Sequence, residues 1–126
     1  MYLEQACFSQ IPAVFRWLNI DFKSLRLDKN GAQLPSQNQS GLAILTPCPQ
    51  YPLGMAMSSL RRQEWLSFLR QQQNTRRFYV IEDDYDNEFV YHQKSAVPLM
   101  QQDSSESVIF VGSFSKVLFR GLRLGF

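Results

Sequence analysis

The stretch that decides the fold is Val108-Ile-Phe-Val-Gly-Ser-Phe-Ser-Lys-Val-Leu-Phe-Arg-Gly-Leu-Arg-Leu-Gly-Phe126. Residues 108–111 are an apolar run too short for a long helix, which predicts a buried strand. Gly112 ends this strand, and two serines on alternate positions lead into Lys116. A second apolar strand is predicted for residues 122–126, with an arginine inside it. A lysine and an arginine between strand cores are costly to bury unless an anionic or covalent ligand meets them.

A phosphorylated aldehyde could bind both the lysine and the arginine. The amine of Lys116 can condense with an aldehyde. The hydroxyls of Ser113 and Ser115 and the guanidinium of Arg123 can hold a phosphate. The competing interpretations are a solvated lysine that follows a strand and, for Ser115, a plain turn residue.

The rest of the chain alternates strands with helices and long connections, which is typical of an α/β fold with a mostly parallel sheet. Further strands are predicted at residues 2–4, 21–27, 41–46 and 77–82. Helices are predicted at about residues 10–18, with Ser9 as a candidate cap, and at about residues 58–73. The remaining segments are predicted as a turn at 28–31, a loop at 33–40, an irregular connection at 86–103 and a polar turn at 104–107.

Three clusters of polar or aromatic residues each follow directly after a predicted strand. They are Tyr51, the run 83–85 and the run 113–116. The carboxyl ends of parallel strands meet at one edge of a sheet, and ligands bind in the crevice outside that edge. The sequence therefore predicts one shared site.

Three linked motifs carry a family resemblance. Ser113-Phe-Ser-Lys116, followed by Gly121-Leu-Arg-Leu-Gly-Phe126, resembles the lysine motif of fold-type I pyridoxal-phosphate (PLP) enzymes. The stretches Thr46-Pro-Cys-Pro-Gln-Tyr-Pro-Leu-Gly54 and Ile81-Glu-Asp-Asp-Tyr-Asp-Asn-Glu-Phe89 extend it in the same order, over most of residues 40–126. The chain most resembles the class I/II aminotransferase-like domain of MocR-type bacterial transcriptional regulators. This resemblance implies the central part of a mostly parallel fold-type I large domain and the cofactor PLP.

The resemblance also implies roles for single residues. Lys116 would be the Schiff-base lysine. Asp83 would pair with the pyridine nitrogen, which keeps the ring protonated and electron-withdrawing. Asp84 is the alternative carboxylate, although in a strand it would point to the other side of the sheet. Tyr85 would donate its hydroxyl to the phenolic oxygen or be an ordinary buried tyrosine, and Tyr51 lies in the segment that runs along the cofactor.

The acidic residues around Asp83 have two further interpretations. Glu82, Asp84, Asp86 and Glu88 are predicted to form a solvated or hydrogen-bonded acidic turn. A metal site is the alternative, but no loop pattern of convergent oxygens supports one. We therefore predict no metal.

Composition excludes several classes of protein. A length of 126 residues with 44% hydrophobic residues suits one domain, and a net charge of +2 is too small to indicate nucleic-acid binding. We expect the pair Arg61-Arg62 to be solvated surface. Cys7 and Cys48 form no disulfide or metal-ligand pattern, so a reducing cytoplasm is expected. The sequence shows no export leader and no run of membrane-spanning length.

The function expected from the resemblance is that of a PLP-binding domain fragment, residues 1–126, from a MocR-type (GntR family) regulator that senses an amine or amino acid. The alternatives are a fragment of a free-standing aminotransferase and an inactive remnant. We expect no winged-helix domain, C-terminal small domain, nucleic-acid contact or membrane contact within these residues. We expect a homodimer when the protein is complete, and no activity from the fragment alone.

Overall fold

The computed structural model describes residues 1–36, 39–74, 77–85, 97–114, 121 and 124–126. Within these ranges the strands are β1 (Tyr2–Glu4), β2 (Lys23–Leu25), β3 (Leu27–Asp28), β4 (Gly31–Ala32), β5 (Gly41–Leu45), β6 (Phe78–Asp84) and β7 (Val108–Gly112). The helices are α1 (Gln10–Trp17), α2 (Ser59–Gln72) and α3 (Leu99–Gln102). None of the helices in the described part is long and apolar enough to cross a bilayer.

Five strands form one parallel sheet in the order β2-β1-β5-β6-β7, and β3 and β4 form a separate antiparallel hairpin. The chain steps outward from β1 to β2, and in the opposite direction from β5 to β6 and β7. Crossovers between parallel strands are almost always right-handed. We therefore infer that α1 and α2 lie on opposite faces of the sheet. The predicted α/β class with a mostly parallel sheet is confirmed.

Helix α2 covers one face of the sheet and forms the main core with it. Its first turn is capped by Ser58, whose hydroxyl accepts a hydrogen bond from the amide of Arg61 at 3.2 Å. The Trp65 side chain is fully buried, and its indole donates to the carbonyl of Ala32 at 3.0 Å, which ties α2 to the hairpin. Phe68 packs edge-on against Phe78 of β6, with ring centroids 5.0 Å apart. This packing explains why a helix of mostly polar composition is stable here.

The prediction that Arg61 and Arg62 are solvated was wrong, because both side chains are buried. Arg61 forms an ion pair with Asp28 of the hairpin at 2.8 Å. Arg62 donates to the carbonyl of Val97 at 2.9 Å. The hairpin and the segment before α3 pack over the start of α2, so positions that a lone helix would expose become internal. Each guanidinium has several donors and can be buried when carbonyl and carboxylate partners meet it.

Other predicted elements differ in detail from the structure. The strand predicted at 21–27 is divided at Arg26, so that β2 and β3 belong to different sheets. Ser9 directly precedes α1 but makes no side-chain capping bond. The predicted irregular connection contains α3, and its portion 86–96 lies outside the described residues. Of the strand predicted at 122–126, the described part shows a single antiparallel bridge between Gly125 and Ser113.

Candidate cofactor site

The candidate site lies where the direction of the crossovers reverses, at the carboxyl ends of β1 and β5. The segments that follow these two strands leave toward opposite sides, and such a divergence opens a crevice in a parallel sheet. A cavity of about 210 Å³ borders this crevice, lined by Phe8, Thr46, Tyr51, Asp83 and Tyr85. Three of the predicted site residues are thereby brought together. Larger cavities of about 390, 310 and 450 Å³ lie beside β2, at the end of α1 and beside α2, and none of the predicted site residues lines them.

Asp83 is the charged residue of the cavity wall. Strand β6 extends two residues further than predicted, so Asp83 and Asp84 belong to the strand itself. Alternate side chains of a strand point to opposite faces. Consistent with this alternation, Asp83 lines the cavity, whereas Asp84 is not among the lining residues. Burial, and then the neighbouring charge of Asp84, raises the pKa of Asp83 above its usual value.

Glu82 lies on the face of β6 opposite to Asp83 and has a structural role there. Its side chain is buried, and its two oxygens accept the amides of Leu99 at 2.8 Å and Met100 at 3.0 Å. Burial raises the pKa of Glu82, while the two amides lower it.

Glu82 and Asp84 lie inside β6, so the predicted acidic turn is wrong for these two residues, whereas the predicted hydrogen bonding is confirmed for Glu82. Asp86 and Glu88 lie outside the described residues. No group of three or more potential metal ligands occurs in the described ranges.

Three aromatic rings line the cavity in an edge-to-face arrangement. The ring of Tyr51 lies 5.7 Å from that of Phe8, at 82° between planes, and 5.7 Å from that of Tyr85, at 88°. Edge-to-face contacts at this separation are favourable for aromatic pairs. The sequence analysis did not predict Phe8 as a site residue. The available signal was that it follows β1 as closely as Tyr51 follows β5.

A buried cluster of hydrogen bonds lies beneath Tyr51. It was not predicted from the sequence either. Glu4, the last residue of β1, accepts the hydroxyl of Thr46 at 2.6 Å and the side-chain amide of Gln50 at 2.9 Å, both through Oε2. Thr46 Oγ1 in turn accepts the amide of Tyr51 at 3.1 Å. Burial raises the pKa of Glu4, and the nearby charge of Asp83 raises it further. The cluster ties the end of β1 to the segment that follows β5.

The phosphate-binding part of the predicted site is only partly described. Ser113 directly follows β7, at the same edge of the sheet as Asp83, and bridges to Gly125. It does not line the cavity of Tyr51 and Asp83. Ser115, Lys116 and Arg123 lie outside the described residues. Four of the seven predicted residues can therefore be located: Tyr51, Asp83, Tyr85 and Ser113.

Comparison with known proteins finds relatives of this chain. No protein-family model matches the chain. The chain is 34% identical to the uncharacterized HTH-type transcriptional regulator YhdI of Bacillus subtilis over 126 residues, which is 98% of the chain and 26% of that protein. It is 33% identical to the probable rhizopine catabolism regulatory protein MocR of Rhizobium meliloti over 104 residues, or 81% and 20% of the two chains. It is 30% identical to aromatic-amino-acid aminotransferase 1 of Thermococcus litoralis over 121 residues, or 94% and 27%.

A solved structure agrees with these relatives. Kynurenine aminotransferase from Pyrococcus horikoshii, in complex with PMP, superposes with a TM-score of 0.84 and 25% identity over 98% of this chain and 32% of its own. The chain therefore has the fold of fold-type I aminotransferases and is similar in sequence to HTH-type regulators and an aminotransferase. An archaeal alanine:glyoxylate aminotransferase shares this aminotransferase-like fold, with a TM-score of 0.83 and 27% identity over 98% of the chain. The resemblance predicted from three motifs is thus confirmed. The chain spans about a quarter of the length of the curated relatives it matches.

Proposed function

We propose that the chain forms the pyridine-binding and lysine-bearing part of a PLP-binding aminotransferase-like domain, in a MocR-type regulator that responds to an amine or amino acid. The observation that carries this proposal is the position of Asp83. Its carboxyl group lines an aromatic cavity at the carboxyl ends of parallel strands, and β7 on the neighbouring side leads into the Ser113–Lys116 motif.

The described residues suit the proposed cofactor. Burial makes the charged form of Asp83 costly and so raises the pKa of its carboxyl group. A cationic partner such as a protonated pyridine nitrogen would offset that cost. The rings of Phe8 and Tyr51 offer apolar aromatic walls to a planar ring. Both the charge and the shape of the cavity are therefore compatible with PLP.

Each residue has a definite task in this proposal. When bound, PLP would supply an electron sink for a carbanion on the substrate carbon that carries the amino group. Asp83 holds the proton on the pyridine nitrogen, and Phe8 and Tyr51 exclude water from the ring. The hydroxyl of Tyr85 donates to the phenolic oxygen. Lys116 binds the aldehyde carbon, and the phosphate is held by Ser113, Ser115 and Arg123.

The regulator is favoured over a free-standing enzyme by the sequence around the site. The sequences Glu82-Asp-Asp-Tyr-Asp86 and Gln50-Tyr-Pro-Leu-Gly54 resemble the corresponding motifs of MocR-type regulators. In such a protein, occupancy of the site would be passed to an attached DNA-binding domain, in a cytoplasmic homodimer. The aminotransferase relative from Thermococcus litoralis supports the second candidate, an enzyme that moves an amino group between an amino acid and a 2-oxo acid.

Reductive labelling of the full chain tests the site. The chain is treated with PLP and borohydride, and peptide mapping compares Lys116 with the three other lysines, Lys23, Lys29 and Lys94. Lys116 should be labelled preferentially, and Asp83→Asn should reduce its labelling by about tenfold, the value of one charge-assisted hydrogen bond. Asp84→Asn is the matched control and should change the labelling much less. Equal labelling of all four lysines would contradict the proposal and favour an inactive remnant.

The complete reading frame distinguishes the two candidate functions. Its product is loaded with PLP and given a series of amines and amino acids. A regulator should change its affinity for its own promoter DNA without consuming a 2-oxo acid. Continuous turnover of amino acid and 2-oxo acid, with no DNA binding, would instead identify an aminotransferase.

A further inference from the structure

Glu4 is a buried carboxylic acid that the proposed chemistry does not use. It is 3% exposed, and it does not line the cavity that Thr46, Tyr51 and Asp83 share. Both of its hydrogen bonds go to Oε2, and Oε1 is buried with no hydrogen-bond partner. A buried carboxyl group with one oxygen unpaired reduces stability unless its other contacts compensate. Any benefit of Glu4 must therefore come from the contacts of Oε2.

Both partners of Glu4 bind the backbone of Tyr51. Thr46 donates its hydroxyl to Glu4 and accepts the amide of Tyr51 on the same oxygen, at 3.1 Å. The Nε2 atom of Gln50 lies 2.9 Å from Glu4 and 2.6 Å from the carbonyl oxygen of Tyr51. Gln50 Oε1 accepts the amide of Leu53 at 3.2 Å. The amide and the carbonyl of Tyr51 are thus each held by a side chain that Glu4 orients.

The same cluster reaches the segment that carries Phe8, the neighbouring ring of the cavity. Gln50 Nε2 also lies 2.6 Å from the carbonyl oxygen of Ala6, two residues before Phe8. Glu4 itself directly precedes this segment, at the end of β1. The rings of Phe8 and Tyr51 meet edge to face at 5.7 Å, so their separation depends on backbones that this one carboxyl group links.

We propose that Glu4 is a positioning residue of this site: through Thr46 and Gln50 it fixes the backbone of Tyr51 relative to that of Phe8, and so sets the spacing of the two aromatic walls that would enclose the cofactor ring. The role of the cavity rests on the proposed function, whereas the link from Glu4 to Tyr51 belongs to the chain itself. Burial raises the pKa of Glu4, and the nearby charge of Asp83 raises it further. A neutral Glu4 keeps an accepting oxygen for Thr46 and Gln50.

Amide hydrogen exchange of the PLP-free full chain, resolved by NMR, tests this role. Glu4→Ala should speed exchange at Tyr51 by about tenfold relative to wild type, because one hydrogen-bond link of ordinary strength is lost. Glu4→Gln keeps an accepting oxygen and should restore the wild-type rate at Tyr51. Glu82→Ala is the matched control, since it removes an equally buried carboxylate that accepts two hydrogen bonds on the other face.

The outcomes separate positioning from general destabilisation. If Glu82→Ala speeds exchange at Tyr51 as much as Glu4→Ala does, the effect is global and the proposal is wrong. If Glu4→Ala does not fold, Thr46→Val removes the hydroxyl link alone, and an unchanged Tyr51 amide in that variant overturns the proposal.

Labelling by PLP and borohydride supplies the second readout. Glu4→Ala should reduce labelling of Lys116 several-fold, and Glu82→Ala should not. Labelling unchanged in a folded Glu4→Ala variant would overturn the effect on the cofactor site. If wild-type Lys116 is not labelled while Tyr51 still responds to Glu4→Ala, the positioning link is supported and the proposed function alone fails.

Discussion

The two faces of strand β6 differ in how deeply they bury their side chains. On the α2 face, Phe78, Val80 and Glu82 are at most 2% exposed. On the other face, Tyr79 is 37% exposed, and Asp83 borders the cavity. Side chains alternate along a strand, so a single run of residues builds a packed layer on one side and an open layer on the other.

The comparison shows how one strand separates stability from chemistry. The carboxylate of Glu82, on the packed face, is fully engaged by the amides of Leu99 and Met100. The carboxylate of Asp83, one residue later, lines an aromatic cavity. A shift of one residue in register would exchange these roles. The faces therefore make opposite predictions for neighbouring substitutions.

The largest expected contrast is between Phe78→Ala and Tyr79→Ala. Phe78 contacts the rings of Tyr2, Trp65 and Phe68. Its truncation should lower the free energy of unfolding by about 3–5 kcal/mol, through lost burial and a residual cavity. Tyr79→Ala should cost about 1 kcal/mol or less, as for partly exposed positions. Denaturant unfolding of both variants checks the contrast, and equal losses would mean that the second face is as well packed as the first.

A smaller contrast concerns the caps of the two long helices. Ser58→Ala removes the hydroxyl that accepts the amide of Arg61, and should cost about 1 kcal/mol. Ser9→Ala, at the corresponding position before α1, should have little effect because the Ser9 side chain makes no capping bond. Thermal unfolding of the two variants at equal concentration measures the difference. A comparable loss from Ser9→Ala would contradict the described geometry.

A third contrast is one of pH dependence, between Asp28 and the other carboxylates. Hydrogen bonds from Gln33, Asn30 and Arg61 hold the pKa of Asp28 at about 2. A lowered pKa stabilises the folded state above the unfolded pKa of about 4, and this contribution is lost as pH falls through about 2. Asp28→Asn should therefore lower the melting temperature at pH 7, with a deficit that shrinks below about pH 4. The effect should be modest, because the ion pair with Arg61 is partly exposed.

The smallest expected effect has the opposite sign and falls on Asp83. Its pKa is raised by burial, so the folded state prefers the neutral acid, and ionisation lowers stability as pH rises above about 4. Asp83→Asn should leave the melting temperature at pH 7 unchanged or slightly higher while it weakens PLP labelling of Lys116. Thermal unfolding of Asp28→Asn and Asp83→Asn from pH 3 to pH 8 checks this. The change in melting temperature relative to wild type should vary with pH in opposite directions for the two variants. A clear loss of stability from Asp83→Asn at pH 7 would assign Asp83 to the packed framework.

The sequence could predict what depends on neighbours along the chain. Short apolar runs located β5 and β7, and helical spacing of apolar residues located α2. The order of three motifs, each after a strand, predicted that Tyr51 and Asp83 would share one edge, and they line one cavity. These features follow from local preference and from the rule that parallel strands end together.

What escaped prediction depends on contacts between distant segments. The burial of Arg61 requires the hairpin that supplies Asp28, 33 residues earlier. The hydrogen bond of Thr46 to Glu4 joins residues 42 positions apart. No local pattern distinguishes a buried glutamate at a strand end from an exposed one, because only the neighbouring strand supplies its partners. Lys116 and Arg123 lie outside the described residues, so their roles remain predictions.

The burial of Trp65 beneath the hairpin also has an optical consequence. The chain has two tryptophans, and Trp17 on α1 is 81% exposed whereas Trp65 is fully enclosed. An indole shielded from water emits at shorter wavelength than a solvated one and is protected from a dissolved quencher such as iodide. Trp17→Phe would therefore leave a single tryptophan, whose red shift and loss of protection would report the opening of the α2 face alone and in real time.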